Sequence, residues 1–304
     1  MHVEDIEHAL VVARLGAIAR AAQEIGMSQP ALSKSLARLE AELKTRLFER
    51  HARGVRLTEE GRLFLEHGAR AAMHAADARR ALRDRRHGLS GVVRLGVGVG
   101  VPSDLITGAC TALARQGRVR YVITGGHTDS LLAALRGGEL DLIVSGIPQP
   151  AGDELQWTPL WPDPMVPFIP RSLPLAATPR RWSLRALGEL HWILPPAGTV
   201  ARGRLESAFV TAGLPAPEPL VESRASGKEA ELARALGAIA LMPLSLARDE
   251  RIAEGFVPVQ SLPALVLERT VSLLSRRSGY TSPVVARFGE LLASERRRWS
   301  ARAK

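Results

Sequence analysis

The chain has 304 residues, 46% hydrophobic and 24% charged, a globular balance in a chain too long for one small domain. A single cysteine, Cys110, excludes an intrachain disulfide, and no apolar run approaches the roughly 20 residues a membrane span needs. The formal net charge is +10, and residues 28–56 alone hold seven Lys/Arg against three Asp/Glu, while 89–295 is nearly balanced. A local basic patch of this kind suits phosphate binding, because nucleic-acid affinity draws on released counterions.

In chain order, Ile6, Leu10 and Ala13 lie at helical spacing up to Gly16, and a short second helix is expected over Ile18–Ile25, stopped by Gly26. Ser28 is a good N-cap and Pro30 is tolerated in a first turn, so a third helix should start there. Its Leu32, Leu36, Leu39 and Leu43 form an apolar stripe, with Gln29, Ser33, Lys34 and Arg38 on the opposite face. Leu47–Arg50 and Val55–Leu57 read as short strands around Arg53-Gly54. Thr58 can cap a long helix running to about Arg86, in which Phe64, Gly68, Ala71, Ala75, Ala78 and Leu82 make a heptad-like seam suited to a contact between protomers.

From residue 90 the texture changes to alternating strands and helices. Strands are expected at Val92–Val99, Val119–Thr124, Leu140–Ser145, Met165–Ile169, Trp192–Leu194, Pro219–Glu222, Ala238–Met242 and Thr270–Ser275, with helices between most of them. That alternation predicts an α/β domain with parallel strands and crossover helices. The run Gly96-Val97-Gly98-Val99-Gly100 lacks the dinucleotide-loop spacing and sits within a strand pattern. His67 and His74 read as solvated, Cys110 as small core filler, and the basic residues of 296–304 as a solvated helix end. The acids Glu4, Asp5 and Glu7 interrupt any secretory pattern in the first 30 residues, so a cytoplasmic location without membrane attachment is expected.

Three helices and a small hairpin form a winged helix-turn-helix, which places the N-terminal residues of its second motif helix in the major groove. Ser28, Gln29, Pro30, Ser33 and Lys34 are those residues, with Arg38 further along the helix. Glutamine can pair bidentately with adenine, lysine can donate to guanine, and serine can reach bases or phosphate. Arg53 beside Gly54 suits a narrow minor groove, and Arg56 a phosphate.

The segments Ala21-Ala22, Met27-Ser28-Gln29-Pro30-Ala31-Leu32-Ser33, Leu39-Glu40, Leu47-Phe48-Glu49-Arg50 and Val55–Gly61 resemble, in order and spacing, the N-terminal signature of the LysR-type transcription regulators. Gly138–Leu142 and Ile239–Pro243 continue the likeness more weakly. The sequence departs from the family pattern at Lys44, where a glycine is usual, at Leu10, where an aromatic is usual, and at Leu236 and Ala238, where glycines are usual. The resemblance implies a DNA-binding domain at 1–58, a linker helix at 59–88 and an effector domain at 89–304, the last resembling periplasmic binding proteins. Its two α/β subdomains would span about 91–162 with 266–304, and about 163–265. It further implies double-stranded DNA and a small-molecule effector as partners, a homodimer or homotetramer, and contact with RNA polymerase.

The effector is expected between the subdomains, at the carboxyl ends of strands. Ser103, Thr128 and Thr199 stand at expected helix starts, where free N–H groups favour an anion, and Arg202 could add charge. No catalytic constellation, cofactor loop or metal-ligand spacing can be assembled, so neither enzyme activity, nor a cofactor, nor a metal is expected. A solute-binding protein, or an enzyme with an appended DNA-binding domain, is the competing interpretation. The first leaves the N-terminal motif unexplained.

Overall fold

The computed structural model describes residues 1–51, 54–87, 90–147, 152–223 and 228–302. It divides into two units: Met1–Arg86 with the segment Gly279–Ser282, and the remainder from His87. Among the described residues no helix is long and apolar enough to cross a membrane.

In the first unit, α1 (Val3–Leu15) and α2 (Ile18–Ile25) each end on a left-handed glycine, Gly16 at φ 64° and Gly26 at φ 76°. The N–H of each capping glycine closes back on the helix it ends. Helix α3 (Gln29–Leu43) starts at Ser28, whose hydroxyl accepts from Ala31 N at 3.3 Å. The leucine stripe does what its spacing demands: Leu32, Leu36 and Leu39 are buried with Ile6, Val12 and Ala21. Each such leucine stabilises the unit by roughly 1.5–3 kcal/mol.

The antiparallel strands β1 (Phe48–His51) and β2 (Gly54–Leu57) follow, with Glu49 opposite Arg56. Val55 N donates to Gly16 O at 2.9 Å, which seats the hairpin on the turn between α1 and α2. Thr58 then caps α4 (Glu59–His87): its hydroxyl accepts from Gly61 N at 2.8 Å and donates to Arg46 O at 2.8 Å.

The seam expected along α4 is divided by its surroundings. Phe64 packs on the core of the first unit, and a Cβ on Gly68 would meet Ile6 Cγ2 at 2.9 Å. The seam's first turns therefore serve packing on α1 within the chain. The large apolar side chains left exposed on α4 are Leu63 and Leu82, and Ala71 and Ala78 between them are exposed too.

The second unit contains two five-stranded sheets. The first has the order β4-β3-β5-β12-β6 and the second the order β11-β7-β10-β8-β9. Those strands are β3 (Gly91–Gly98), β4 (Val119–Gly126), β5 (Leu142–Ile147), β6 (Leu155–Pro162), β7 (Met165–Pro170), β8 (Trp192–Leu194), β9 (Pro219–Glu222), β10 (Ile239–Pro243), β11 (Phe256–Pro258) and β12 (Thr270–Arg276). In the first sheet β3 pairs in parallel with β4 and β5, and β12 runs antiparallel to β5 and β6. In the second, β8 pairs in parallel with β9 and β10, and β7 runs antiparallel to β10 and β11.

Helices cover both faces of each sheet. Helices α5 (Ser103–Ala114) and α11 (Pro283–Arg302) bury Leu105, Leu113, Val284 and Phe288 on one face of the first sheet. Helix α6 (Thr128–Arg136) brings Leu131 and Leu135 to the other. Helices α7 (Leu184–Gly188) and α8 (Val200–Thr211) pack on one face of the second sheet, and α9 (Glu229–Leu236) and α10 (Glu250–Gly255) on the other. The chain crosses between the sheets twice, at Asp163-Pro164 and again between β11 and β12.

The alternating glycines of Gly96–Gly100 prove to be a packing device. A Cβ on Gly96 would meet Leu140 Cδ1 at 2.8 Å, and one on Gly98 would meet Ser145 Oγ at 2.1 Å. Two strands lie outside the sequence expectation, β6 and β11, and both contain prolines. Both are edge strands, where a missing N–H faces outward and is tolerated.

Lys44 closes α3 in the left-handed region at φ 51°, the one non-glycine residue with positive φ among those described. This is the position at which the family pattern has glycine, and a side chain there bears the steric cost of that conformation. Lys44→Gly is expected to raise unfolding free energy by about 1 kcal/mol. Denaturant titration of the two full-length chains measures it, and an unchanged or lower midpoint contradicts the account.

Candidate functional site: an exposed helix face and an inter-sheet cleft

The outward face of α3 is set by chemistry beneath it. Asp5 on α1 is 1% exposed and accepts from three directions on α3. Ser35 Oγ donates to Asp5 Oδ1 at 2.6 Å, Arg38 Nε donates to Oδ2 at 2.8 Å, and Arg38 Nη2 reaches Oδ1. Ser35 Oγ also lies 2.8 Å from His8 Nδ1. A bidentate arginine on a buried carboxylate fixes rotation as well as distance. The network therefore locks the azimuth of α3 about its own axis.

With α3 so held, Ser28, Gln29, Pro30 and Lys34 are exposed and Ser33 is half-buried on the same side. Arg56 is exposed on the hairpin. Arg53 lies outside the described residues. Arg38 is half-exposed, but its guanidinium is engaged on Asp5, so it positions the helix that carries the other residues.

The second unit holds a cleft of about 630 Å³ between its two sheets. It opens at the carboxyl ends of β3, β5, β8 and β10, marked by Gly98, Ile147, Ile193 and Met242. The N-terminal residues of α6, α8 and α9 (Thr128, Val200 and Glu229) face it. Helix N-termini present unpaired N–H groups and the positive end of the helix dipole, and three of them around one cavity favour an electron-rich ligand. Most of the remaining wall is apolar, with Val99, Leu132, Met165, Val200, Leu241 and Leu267 among the contributors.

Two of the four residues expected at an effector site line this cleft: Thr128 and Thr199. Neither hydroxyl proton is free. Thr128 Oγ1 lies 2.8 Å from Ser145 Oγ and donates to Gly146 O at 3.1 Å, while Thr199 Oγ1 donates to Pro196 O at 2.8 Å. The other two lie elsewhere. Ser103 starts α5 but borders a separate pocket with Asp104, Thr107 and Arg115, because the chain turns at Gly100 before the helix begins. Arg202 points into the packing of α8, is 8% exposed and pairs with Glu206 one turn on. Two residues later the helix does face the cleft, and the arginine there is Arg204.

Among the lining residues that the sequence did not single out, two are buried polar groups. His127 stands at the N-cap position of α6 without a side-chain capping bond, and its Nε2 is buried without a hydrogen-bond partner among the described residues. Arg269 lies at the cleft floor, between the second crossover and β12, in no recognisable motif. Its side chain is 8% exposed, and Nη2 donates to Asp163 Oδ2 at 2.9 Å. Burial pushes the Arg269 pKa down, and the adjacent Asp163 carboxylate works against that shift. At the rim, exposed Arg136 and Arg204 alternate with exposed Asp129 and Asp249.

Arg38, with help from Ser35, holds the Asp5 carboxyl below its usual value against the opposing effect of burial. A depressed carboxyl pKa stabilises the fold above the unfolded value of about 4, and that stability is lost as pH falls through the lower folded value. Stability of the wild-type chain should therefore drop more steeply than that of Asp5→Asn below about pH 4. Urea titrations at several pH values read the slopes, and parallel curves contradict the Asp5–Arg38 account.

Comparison with known proteins gives two family matches: "LysR substrate binding domain" over residues 86–297 and "Bacterial regulatory helix-turn-helix protein, lysR family" over residues 3–62. The chain is similar to the SDS degradation transcriptional activation protein of a Pseudomonas species, 33% identical over 300 residues, 96% of this chain and 92% of that one. It is also similar to HTH-type transcriptional regulator GbpR of Azospirillum brasilense, 30% identical over 206 residues. That match covers 67% of this chain and 60% of the relative's length. Among solved structures, ArgP from Mycobacterium tuberculosis shares the fold with a TM-score of 0.64 at 17% identity, covering 96% of each chain.

Proposed function

The chain belongs to the LysR family of bacterial transcription regulators, and we propose that it reads DNA bases through the face of α3 and is switched by a small organic anion bound in the inter-sheet cleft. The observation that carries the first half is the locked azimuth of α3. Leu32, Leu36 and Leu39 are turned inward and Arg38 is held on Asp5, leaving Gln29, Ser33 and Lys34 on the outward side. Gln29 and Ser33 are one turn apart, a spacing suited to successive base edges. Ser28 brings the helix N-terminus toward phosphate, Arg53 is assigned to the minor groove and Arg56 to the backbone.

The second half is supported by three helix N-termini around one cleft and by arginines at its rim and floor. Thr128 and Thr199 shape that site through their bonded hydroxyls, and Ser103 and Arg202 have no part in it. The proposal contains no catalytic step, no metal and no cofactor. The protein would act in the cytoplasm, where DNA, effector and RNA polymerase meet. Two chains would join along α4 through Leu63, Ala71, Ala78 and Leu82, as a dimer or as a pair of dimers on a two-fold-related site.

Two experiments test these assignments. Gln29→Ala should cost about 1–3 kcal/mol on the specific duplex and little on a scrambled one, the behaviour of a base contact. Arg56→Ala should weaken both duplexes alike and flatten the salt dependence by about one unit. Titrations on both duplexes at several salt concentrations decide, and reversed behaviour of the two variants removes the assignment. For assembly, Ala71→Glu with Ala78→Glu places four like charges along a two-fold seam and should shift sedimentation toward monomer. An unchanged oligomer moves the main interface away from α4.

A further inference from the structure

We propose that Arg269 is the anchor that takes the acid group of the effector, and that this effector is an apolar carboxylate of aryl or branched-alkyl type. The proposal rests on the reading of the inter-sheet cleft as the effector site.

A carboxylate accepts hydrogen bonds and donates none. The hydroxyl protons of Thr128 and Thr199 already have carbonyl or hydroxyl acceptors within the fold. Arg136 and Arg204 line the cleft from exposed positions, Arg136 paired with Glu154 and Arg204 donating to Glu268 O. Charges exposed to water are screened and contribute little.

Arg269 differs from both in burial and in the division of its fork. Nε donates to Asp163 O at 2.8 Å, and Nη2 donates to Asp163 Oδ2 at 2.9 Å and to Val99 O at 3.3 Å. Among the described residues no hydrogen bond uses Nη1, although the side chain lines the cleft and is 92% buried. The guanidinium lies against Gly146, where a Cβ would fall 2.5 Å from Cζ. A glycine at the end of β5 thus leaves room for the planar group at the cavity floor. This is the guanidinium edge that the fold leaves unbonded, and a carboxylate oxygen reaching it from the cleft gains a charge-assisted hydrogen bond.

The body of the ligand follows from the walls. Val99, Ile147, Met165, Leu241, Met242 and Leu267 present carbon around the same cavity. Multiple hydroxyls on a sugar acid would lose water there without replacement partners. An aryl or branched-alkyl group loses nothing and gains apolar burial.

Asp163 supplies the means of testing this. It is 1% exposed and also accepts from Ser245 N at 2.9 Å and Ser245 Oγ at 3.1 Å. A purely structural Arg269–Asp163 pair makes either single substitution loosen the cleft, so both would weaken every ligand. An anchoring arginine predicts opposite signs. Arg269→Lys keeps a cation for Asp163 but removes the second fork edge, whereas Asp163→Asn keeps the fork and removes the charge that competes with the ligand.

Benzoate, phenylacetate and 4-methylpentanoate, each with its primary amide, would be titrated into the full-length chain by calorimetry and thermal shift. At least one acid should bind the wild type, with its amide at least ~10-fold weaker. Arg269→Lys should weaken that acid by ~10-fold or more and leave the amide unchanged, and Asp163→Asn should tighten the acid. Equal acid binding in wild type and Arg269→Lys, or weakening by both variants, overturns the anchor while the cleft remains the effector site. If Arg269→Lys fails to fold, the sign of Asp163→Asn alone decides. Binding of gluconate in place of all three acids overturns the apolar class. Absence of binding by every compound overturns the apolar-acid proposal, and a broader metabolite screen that also finds nothing in the cleft removes the reading on which it rests.

Discussion

A guanidinium withdrawn from water must be paired, and in the second unit that requirement falls where the chain passes between its two sheets. Asp163 is on the first crossover and Arg269 at the end of the second, and each also bonds the other's backbone: Asp163 N donates to Arg269 O at 3.0 Å, and Arg269 Nε returns to Asp163 O. From this pair, bonds extend to Val99 after β3 and to Ser245 after β10. One buried ion pair therefore ties both crossovers and a loop from each sheet. Breaking it by removing one partner would leave an uncompensated charge, which costs more than the pair contributes while intact. The cleft floor is consequently held by buried bonds, whereas the charges at its rim stand in solvent.

The first unit solves a similar problem with the opposite sign. There the buried charge is a carboxylate, Asp5, and the groups that neutralise it come from α3. A nonspecific leucine stripe would permit small rotations of α3 against α1 and α2, since apolar contacts are not directional. The bidentate bond from Arg38 removes that freedom. Packing energy and orientation thus come from different residues of one helix, and a base-reading face needs both. This also explains why a basic residue on α3 need not touch DNA: Lys34 is solvent-exposed, whereas Arg38 has a partner inside the fold.

Much of this architecture was legible because local signals agreed with the tertiary outcome. Gly16, Gly26, Ser28 and Thr58 mark helix ends whose caps form as their chemistry suggests. The alternation after residue 90 announced an α/β domain, the family resemblance implied its two halves, and eight of the strands there fall within a few residues of their expected positions. The strands β6 and β11 lay outside the expectation, since a sequence cannot show which segment will be recruited to a sheet edge. At the cleft, helix starts were readable but their direction was not. Thr128 and Thr199 lie at strand carboxyl ends, while Ser103 starts a helix displaced by the turn at Gly100. Arg202 and Arg204 differ by two positions, about 200° around a helix, and only packing on the second sheet decides which faces inward. Arg269 carries no local signal at all. Its surroundings arise from Gly146, Asp163 and Val99, residues far apart in the chain that strand pairing in the first sheet brings together.

The distribution of charge around the cleft argues for a division of labour within it. Arg136, Arg204, Asp129 and Asp249 stand at the rim in mixed sign, where water screens them over about 8–10 Å at physiological salt. Such a rim leaves little net field to select one sign of ligand charge at a distance. Selection must then occur after entry, where the dielectric is lower and bonding geometry is fixed. The floor offers one unused guanidinium edge and three helix N-termini, and the walls between them offer carbon. A ligand with one compact acid group satisfies the guanidinium edge without leaving polar atoms against the walls. The arginine with that free edge is also the one bonded to Asp163 and Val99, so a ligand held at Nη1 would touch the group that ties the crossovers together.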